Sequence, residues 1–110
     1  MTLRPMSRKR RAELPERAKV RHEVFARDGF RCQVAPHGLE LDPPHRPCFG
    51  HLTVHHRRKA SQGGGYTLAN LVSACCHHND LIEADAEFAH WAWSVGFVVL
   101  RGDPGWEELA

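Results

Sequence analysis

Hydrophobic residues near the start of the chain follow a helical spacing. Val20 and Val24 stand four positions apart, so both lie on one face of a helix. Pro15 suits the first turn of such a helix, and Gly29 suits a stop just after its last turn. The pattern predicts a helix over about residues 15–27.

Hydrophobic residues near the other end recur at steps of three and four, which again describes one helix face. The residues that form this face are Leu81, Ala84, Phe88, Trp91 and Val95. We expect the helix to run from about residue 77 to 94 and to end near Gly96, with its aromatic residues in the core.

Three shorter hydrophobic stretches favour strands. Residues 52–54 are a Leu-Thr-Val run that leads into two histidines, and the Gln-Gly-Gly-Gly run at 62–65 ends it. Residues 71–72 indicate a second strand and residues 97–100 a third. A turn is expected at residues 101–105, which contain two glycines and a proline.

Length and composition limit the class of protein. A chain of 110 residues is long enough for one compact domain, and its 42% hydrophobic and 25% charged residues are typical of globular proteins rather than disordered or fibrous ones. The longest hydrophobic stretch, residues 95–100, is too short to span a membrane. No hydrophobic segment of a secretory signal follows the basic N-terminus. We therefore expect a cytoplasmic protein without a membrane partner and a single domain over residues 14–110.

The positive charge is concentrated at the N-terminal end. Residues 1–31 hold ten Lys and Arg against four Asp and Glu, a net +6, whereas residues 32–110 hold five against nine, a net −4. Residues 1–13 are predicted to form a flexible basic arm that meets an anionic partner. A solubilising tail is the alternative. The basic residues of this arm are Arg8, Lys9, Arg10 and Arg11.

Four of the cysteines and histidines have a spacing that suits a metal ion. Cys75 and His78 have two residues between them, and Cys32 and Cys48 lie upstream with fifteen between them. Thiols stay reduced in the cytosol, so a metal is a better candidate than a disulfide. Thiolate and imidazole donors suit a closed tetrahedral site, and we predict a structural zinc ion. It would fix the Pro-rich loop after residue 32 to the start of the last helix.

Other interpretations of the cysteines stay open at this point. The alternative to a zinc site is a set of buried free thiols that pack as small hydrophobic groups. Cys76 fits poorly into the same site as its neighbour, so we interpret it as a packed thiol. The histidines that would be able to replace one zinc ligand are His37, His45 and His77.

A pair of adjacent histidines ends the first predicted strand. Neighbouring side chains on a strand point to opposite faces, so His55 and His56 are expected to have different roles. One imidazole is suited to binding a cation, and the other to accepting a proton from water near neutral pH. Histidines satisfied by solvent or by protein partners are the alternative for an isolated pair.

Four blocks of the sequence, in this order and with these gaps, resemble the HNH endonuclease family and especially its small phage-encoded members. The blocks are Arg27-Asp28-Gly29-Phe30-Arg31-Cys32, then Leu52-Thr53-Val54-His55-His56-Arg57 with Gly63-Gly64, then Asn70-Leu71-Val72, and finally Cys75 through Ile82-Glu83. The resemblance covers about residues 20–84. It implies a small α+β fold in which a ββα-metal core, at about residues 50–84, carries the active site beside a flanking N-terminal helix and a structural zinc site.

The resemblance also implies roles for particular residues. His55 would be a ligand of the catalytic metal and His56 the general base that activates water. Asn70 would brace the loop that carries the base. Where the family has its fourth zinc cysteine and its last histidine, this chain has His78 and Asn79, which makes it an HNN variant.

The second departure bears on the metal. The amide oxygen of Asn79 is a hard ligand, so with one imidazole it would suit Mg²⁺ or Mn²⁺ better than zinc. Glu83 is four residues further along the same helix face. It either completes the metal shell, directly or through water, or pairs with a nearby base such as Arg57.

The function that the resemblance implies is metal-dependent DNA endonuclease activity, by nicking or double-strand cleavage, in the processing or packaging of phage or mobile-element DNA. The arm residues would bind the DNA backbone without sequence preference. Near the scissile phosphate, further positive charge would come from Arg57, Arg58 and Lys59. Besides DNA, the candidate partners are a second copy of the chain and phage packaging proteins. The alternatives are a catalytically silent zinc module that binds nucleic acid and a zinc domain for structural or protein interaction.

Overall fold

The computed structural model describes residues 8–34 and 48–110, with the backbone alone for residues 9–12. Three helices and one hairpin form the fold. Along the chain, these elements are α1 (Arg8–Arg27), β1 (Leu52–His56), β2 (Leu71–Cys75), α2 (Cys76–Ala84) and α3 (Ala86–Ser94).

The two strands form an antiparallel hairpin at the centre of the fold. Leu52 pairs with Cys75 at one end, and His56 pairs with Leu71 at the other. All five residues of β2 are buried, whereas β1 is mostly half-buried. Both strands predicted from the sequence are therefore confirmed, and each extends further than the hydrophobic run that indicated it.

The first helix begins earlier than the sequence pattern predicted. It starts at Arg8 rather than near residue 15, so the predicted start of the helix is wrong and residues 8–13 are helical, while the domain boundary at residue 13 stays a prediction. Residues 8–14 are Arg, Lys, Ala, Glu and Leu, all good helix formers, and they carry the helix past Pro15. Residues 1–7 lie outside the described part of the chain.

The single helix expected over residues 77–94 is two helices that meet at Asp85. The backbone of Asp85 is extended, with φ −114° and ψ 111°, and its side chain accepts a hydrogen bond from the backbone N–H of Phe88 at 3.0 Å. Asp is among the residues that cap helix N-termini best, so it ends α2 and begins α3. Leu81 of α2 and Trp91 of α3 pack into the same core, so the hydrophobic period continues across the break between the two helices.

The third predicted strand is wrong. Residues 97–100 have no strand geometry, although Val99 donates a backbone hydrogen bond of 2.9 Å to the carbonyl of Arg57, just beyond β1. This bond attaches the segment to the end of β1 without continuing the sheet. The turn at residues 101–105 is confirmed, and within it Asp103 donates to the carbonyl of Leu100.

Buried hydrophobic residues form two clusters among the described residues. The main core joins the hairpin to both C-terminal helices and contains Val34, Ala74, Leu81, Ile82, Phe88, Trp91 and Ala92. The smaller cluster lies in the C-terminal segment and contains Val99, Trp106 and Leu109. The aromatic residues of the predicted helix face are therefore in the core, while Val95 at its end is exposed. The described helices include none with both the length and the apolar composition for crossing a bilayer.

We expect Asp85→Ala to lower the free energy of unfolding by about 0.5–2 kcal/mol, because α3 loses its N-terminal cap. Chemical denaturation of the zinc-loaded protein would measure the change. Asp80→Ala, the same substitution at an exposed position of α2, is the control. Equal stability of the two variants would contradict the capping role.

Candidate active site and zinc site

Cys32, Cys48, Cys75 and His78 come together as a candidate metal site. Their ligand atoms all lie within 4.8 Å of one another. The Nδ1 atom of His78 is 3.5 Å, 3.7 Å and 3.1 Å from the three sulfur atoms, in chain order. A tetrahedral zinc ion with ordinary bond lengths would hold such a nitrogen and sulfur about 3.6 Å apart. The four side chains therefore fit a structural zinc ion.

Three separate parts of the chain supply these ligands. Cys75 ends β2 and caps α2, where its sulfur accepts the backbone N–H of His78 at 3.4 Å. His78 is fully buried, and its ring stacks on Phe88 with centroids 5.8 Å apart. Cys32 follows α1 and Cys48 precedes β1. A metal ion here would tie α1 and the start of the hairpin to the core.

The thiols of the site ionise unequally. Burial opposes ionisation of Cys75, but the backbone N–H groups of His78 and Phe49 and the neighbouring thiols lower its pKa overall. Burial and the adjacent sulfurs of Cys32 and Cys75 raise the pKa of Cys48 from 9.0 to about 12. A zinc ion bound here would favour the thiolate form of the cysteines that hold it.

Cys76 lies outside this group, as predicted. It is half-buried, and its sulfur packs against the ring of His51, 3.2 Å from Nδ1 and 3.1 Å from Nε2. The sequence did not indicate this contact with His51. His77 is also outside the group, and its ring lies beside that of His78. His37 and His45 fall outside the described residues.

His55 has one ring nitrogen committed to the backbone and the other facing an amide. Its Nε2 lies 2.6 Å from the carbonyl oxygen of Phe97, and its Nδ1 lies 3.2 Å from Oδ1 of Asn79. A carbonyl accepts hydrogen bonds only, so Nε2 must carry the proton. In the neutral ring, Nδ1 therefore presents its lone pair towards a second acceptor.

The surroundings of His55 favour this neutral ring. Its side chain is buried, and that burial lowers its pKa, although the carbonyl of Phe97, the amide oxygen of Asn79 and the negative charge of Glu83 favour the protonated ring. Glu83 itself forms an ion pair with Lys59, with Nζ and Oε2 3.2 Å apart. The sequence left two roles open for Glu83, completing the metal shell or pairing with a base. The structure shows Glu83 paired with a base, which is Lys59 rather than Arg57.

His56 occupies a different environment from its neighbour. It is half-buried, and the edge of its ring meets that of Tyr66 with centroids 5.8 Å apart. Burial, followed by the charges of His55 and Arg17, lowers the pKa of His56. The lowered pKa favours the unprotonated ring, the form in which an imidazole accepts a proton.

Arg17 and Tyr66 are neighbours of His56 that the sequence analysis missed. The guanidinium of Arg17 lies over the Tyr66 ring, 5.0 Å from its centroid. Arg17 also forms an ion pair with Glu13, one turn earlier on α1. No spacing in the sequence indicates that Arg17 of α1 contacts Tyr66, because the contact arises only from the way the helix packs.

Asn70 is buried and bonded to the loop that follows His56. Its Oδ1 accepts the backbone N–H of Arg58 at 2.8 Å, and its Nδ2 donates to the carbonyls of Arg58 at 3.0 Å and Gly65 at 2.9 Å. Its own backbone carbonyl accepts the N–H of Arg57. The side chain thus holds both ends of the loop over residues 57–65.

Comparison with known families agrees with this geometry. Residues 45–84 match the model of the family described as HNH endonuclease. We refer to residues 45–84 as the HNH segment. The HNH segment spans the hairpin, the loop over residues 57–65 and α2, whereas α1, α3 and the C-terminal residues lie outside it. No curated protein and no solved structure shows a significant match to the chain.

The basic residues after His56 make structural contacts within and beyond the HNH segment. Arg57 donates to the carbonyls of Gly96 and Ala69, and Arg58 donates to those of Gln62 and Trp106. These contacts fix the loop and the C-terminal residues. A role in binding DNA stays a prediction for both arginines and for Lys59. It also stays a prediction for Arg8, which is exposed at the start of α1, and for residues 9–11.

We expect Cys48→Ser to weaken zinc binding at least about 10-fold and to lower the melting temperature, because binding energy at a structural site is also folding energy. Bound zinc per chain and thermal unfolding would measure both effects. Cys48 is exposed, so the substitution leaves no core cavity. Cys76→Ser, at a thiol outside the site, is the matched control. Equal zinc content in the two variants would rule out Cys48 as a ligand.

Proposed function

We propose that the protein is a metal-dependent DNA endonuclease that hydrolyses phosphodiester bonds with His55, His56 and Asn79. The HNH segment supports nuclease activity or nucleic-acid binding in general. The observation that carries the specific proposal is the pair of lone-pair atoms, Nδ1 of His55 and Oδ1 of Asn79, which lie 3.2 Å apart, with His56 as the next residue of β1.

A shared divalent cation would account for the distance between Nδ1 of His55 and Oδ1 of Asn79. Without a proton between them these two atoms cannot form a hydrogen bond with each other, but both can bind one cation. Adjacent ligands about 2.1 Å from an octahedral ion are about 3.0 Å apart, close to the observed separation. The bond from His55 to the Phe97 carbonyl is the kind that orients a metal-binding imidazole. If no cation binds, the Asn79 amide would turn over and donate an N–H to Nδ1 of His55. Metal titration therefore distinguishes the cation-bound arrangement from the hydrogen-bonded one.

The donor set also favours particular metals. With only one imidazole, the hard amide oxygen of Asn79 favours Mg²⁺ or Mn²⁺ over zinc, and the negative charge of Glu83 is near enough to act on the pKa of His55. A divalent ion bound there would supply positive charge to the nonbridging and leaving oxygens of the phosphate. We infer that Glu83 contributes through water or leaves Lys59 when a cation is present.

His56 supplies the base in this proposal. It takes a proton from a water molecule whose oxygen attacks phosphorus. The bond from phosphorus to the 3′ oxygen breaks as the new bond forms, and this oxygen takes up a proton from solvent. Asn70 acts without contacting the metal, by holding the loop that begins directly after His56. The arrangement therefore separates cation binding, proton transfer and loop support among three side chains.

The basic N-terminal end supports DNA as the substrate. Exposed arginines and lysines of α1, including Arg17 beside His56, suit the backbone of a nucleic acid. We further infer an intracellular role in phage or mobile-element DNA processing or packaging, with residues 14–110 acting as one nuclease domain. A second copy of the chain or packaging proteins would then decide between nicking and double-strand cleavage.

We expect purified protein to cut supercoiled plasmid with Mg²⁺ or Mn²⁺ and to lose this activity in EDTA. His56→Ala should lower the rate by about 10² to 10⁴, the usual contribution of a positioned base. His90→Ala, at an exposed histidine of α3, is the control. The ratio of nicked to linear product reports whether one strand or both are cut.

Two results would count against the assignment. Equal rates for wild type and His56→Ala would remove His56 as the base. A folded, zinc-loaded wild type that binds DNA in a salt-sensitive way but never cuts it would identify the protein as a silent zinc module.

The pH dependence of kcat/KM tests the environment of His56. The neutral ring is the active form, so the rate rises with pH through the pKa of His56. Because burial and the charges of His55 and Arg17 lower this pKa, the acid limb should lie below 6.5. Arg17→Gln removes one of these charges and should move the limb to higher pH. Arg21→Gln, at another exposed position of α1, should leave it in place, and a wild-type limb above 6.5 would contradict the assignment.

A further inference from the structure

The C-terminal segment, residues 96–110, lies outside the HNH segment and yet is bonded to its active-site strand and loop. The carbonyl of Phe97 accepts from His55, and the backbone N–H of Val99 donates to the carbonyl of Arg57. The guanidinium of Arg57 returns a hydrogen bond to the carbonyl of Gly96. The residues beside the proposed base are therefore tied to a part of the chain that the family match does not include.

Trp106 makes two contacts with Arg58 in the loop after His56. The guanidinium of Arg58 lies over its ring, 4.0 Å from the centroid, and also donates to its backbone carbonyl at 2.9 Å. Only 7% of Trp106 is exposed. A stacked guanidinium at a partly desolvated site gains both charge-to-ring attraction and packing, so the contact orders the Arg58 side chain.

The same loop is held at its far end. Gly65 donates a backbone hydrogen bond of 2.9 Å to the carbonyl of Leu109, which shares the small hydrophobic cluster with Trp106. The loop passes so close to itself that a Cβ atom on Gly64 would lie 1.8 Å from the carbonyl oxygen of Arg58. Asn70 bonds the inner side of this loop, and the C-terminal segment bonds its outer side.

We propose that Trp106 is a positioning residue of the active site: together with Arg58 it clamps the loop over residues 57–65 and thereby fixes His56 relative to the His55 and Asn79 pair. This role rests on the proposed nuclease function, and it acts through the loop rather than through contact with the substrate. A base displaced by about 1 Å is enough to cost a large factor in rate, so a loosened loop lowers kcat.

The clamp is separable from the main fold. Trp106 belongs to the small cluster with Val99 and Leu109. Phe88 belongs to the main core, and the candidate zinc ligands lie in or beside that core. A substitution that keeps this small cluster hydrophobic but removes the aromatic face therefore tests the clamp without removing a core residue. Trp106→Leu meets this condition, and Trp106→Phe keeps a ring for the guanidinium.

Hydrogen exchange and steady-state kinetics together test the proposal. We expect Trp106→Leu to speed exchange in the loop at least about 10-fold and to lower kcat by about 10-fold with little change in KM, while Trp106→Phe restores both. Zinc content should stay at the wild-type value. The amides to follow are those with acceptors in the structure, namely Arg57, Arg58, Gln62, Gly63, Gly64 and Gly65.

Arg58→Lys is the second variant, since it keeps the charge but loses the planar group that stacks on Trp106. It should loosen the same amides even if Trp106→Leu fails to fold. Unchanged exchange in both variants, or faster exchange with unchanged kcat, would overturn the proposal. A wild type that never cuts DNA, with exchange still dependent on Trp106, would instead defeat the proposed function and leave the clamp as a structural brace.

Discussion

The first turn of α2 is the constraint on which the two candidate metal sites depend. Successive residues of a helix point about 100° apart, so His78 turns into the core towards the three cysteines while Asn79 turns towards His55. Cys75 fixes where this turn begins, because its sulfur accepts the backbone N–H of His78. A structural ion held by Cys75 and His78 would consequently set the position of the next side chain, Asn79, at the proposed catalytic ion.

The local chemistry of the sequence was enough to predict the hairpin and the Cys and His cluster, whereas the pairing of His55 with Asn79 was implied by the family resemblance. Hydrophobic strand residues, the Cys and His spacing and the adjacent histidines are signals that lie within short stretches of the chain. The end of α2 was missed because a helical period alone does not reveal that Asp85 prefers to cap α3. The start of α1 was missed because a dense positive charge was interpreted as an arm, although its residues also favour a helix.

Contacts between distant parts of the chain were the least predictable features. Arg17 meets Tyr66, and Arg58 meets Trp106, through packing that no spacing in the sequence encodes. The sequence indicated the positive charge after His56. It did not indicate that the guanidinium groups of Arg57 and Arg58 donate hydrogen bonds to backbone carbonyls. Their charge still contributes to the field around the site, while their geometry serves the protein itself.

The hydrogen bond from His55 to Phe97 has a consequence for how this site would vary among related chains. The acceptor is a main-chain oxygen, so it is present whichever amino acid occupies position 97. Exchanging that side chain leaves the tautomer of His55 intact, whereas inserting or deleting one residue after α3 would move the oxygen out of reach. The tautomer is thus governed by the length of a connection rather than by the identity of a residue, and a search for matching side chains would pass over it.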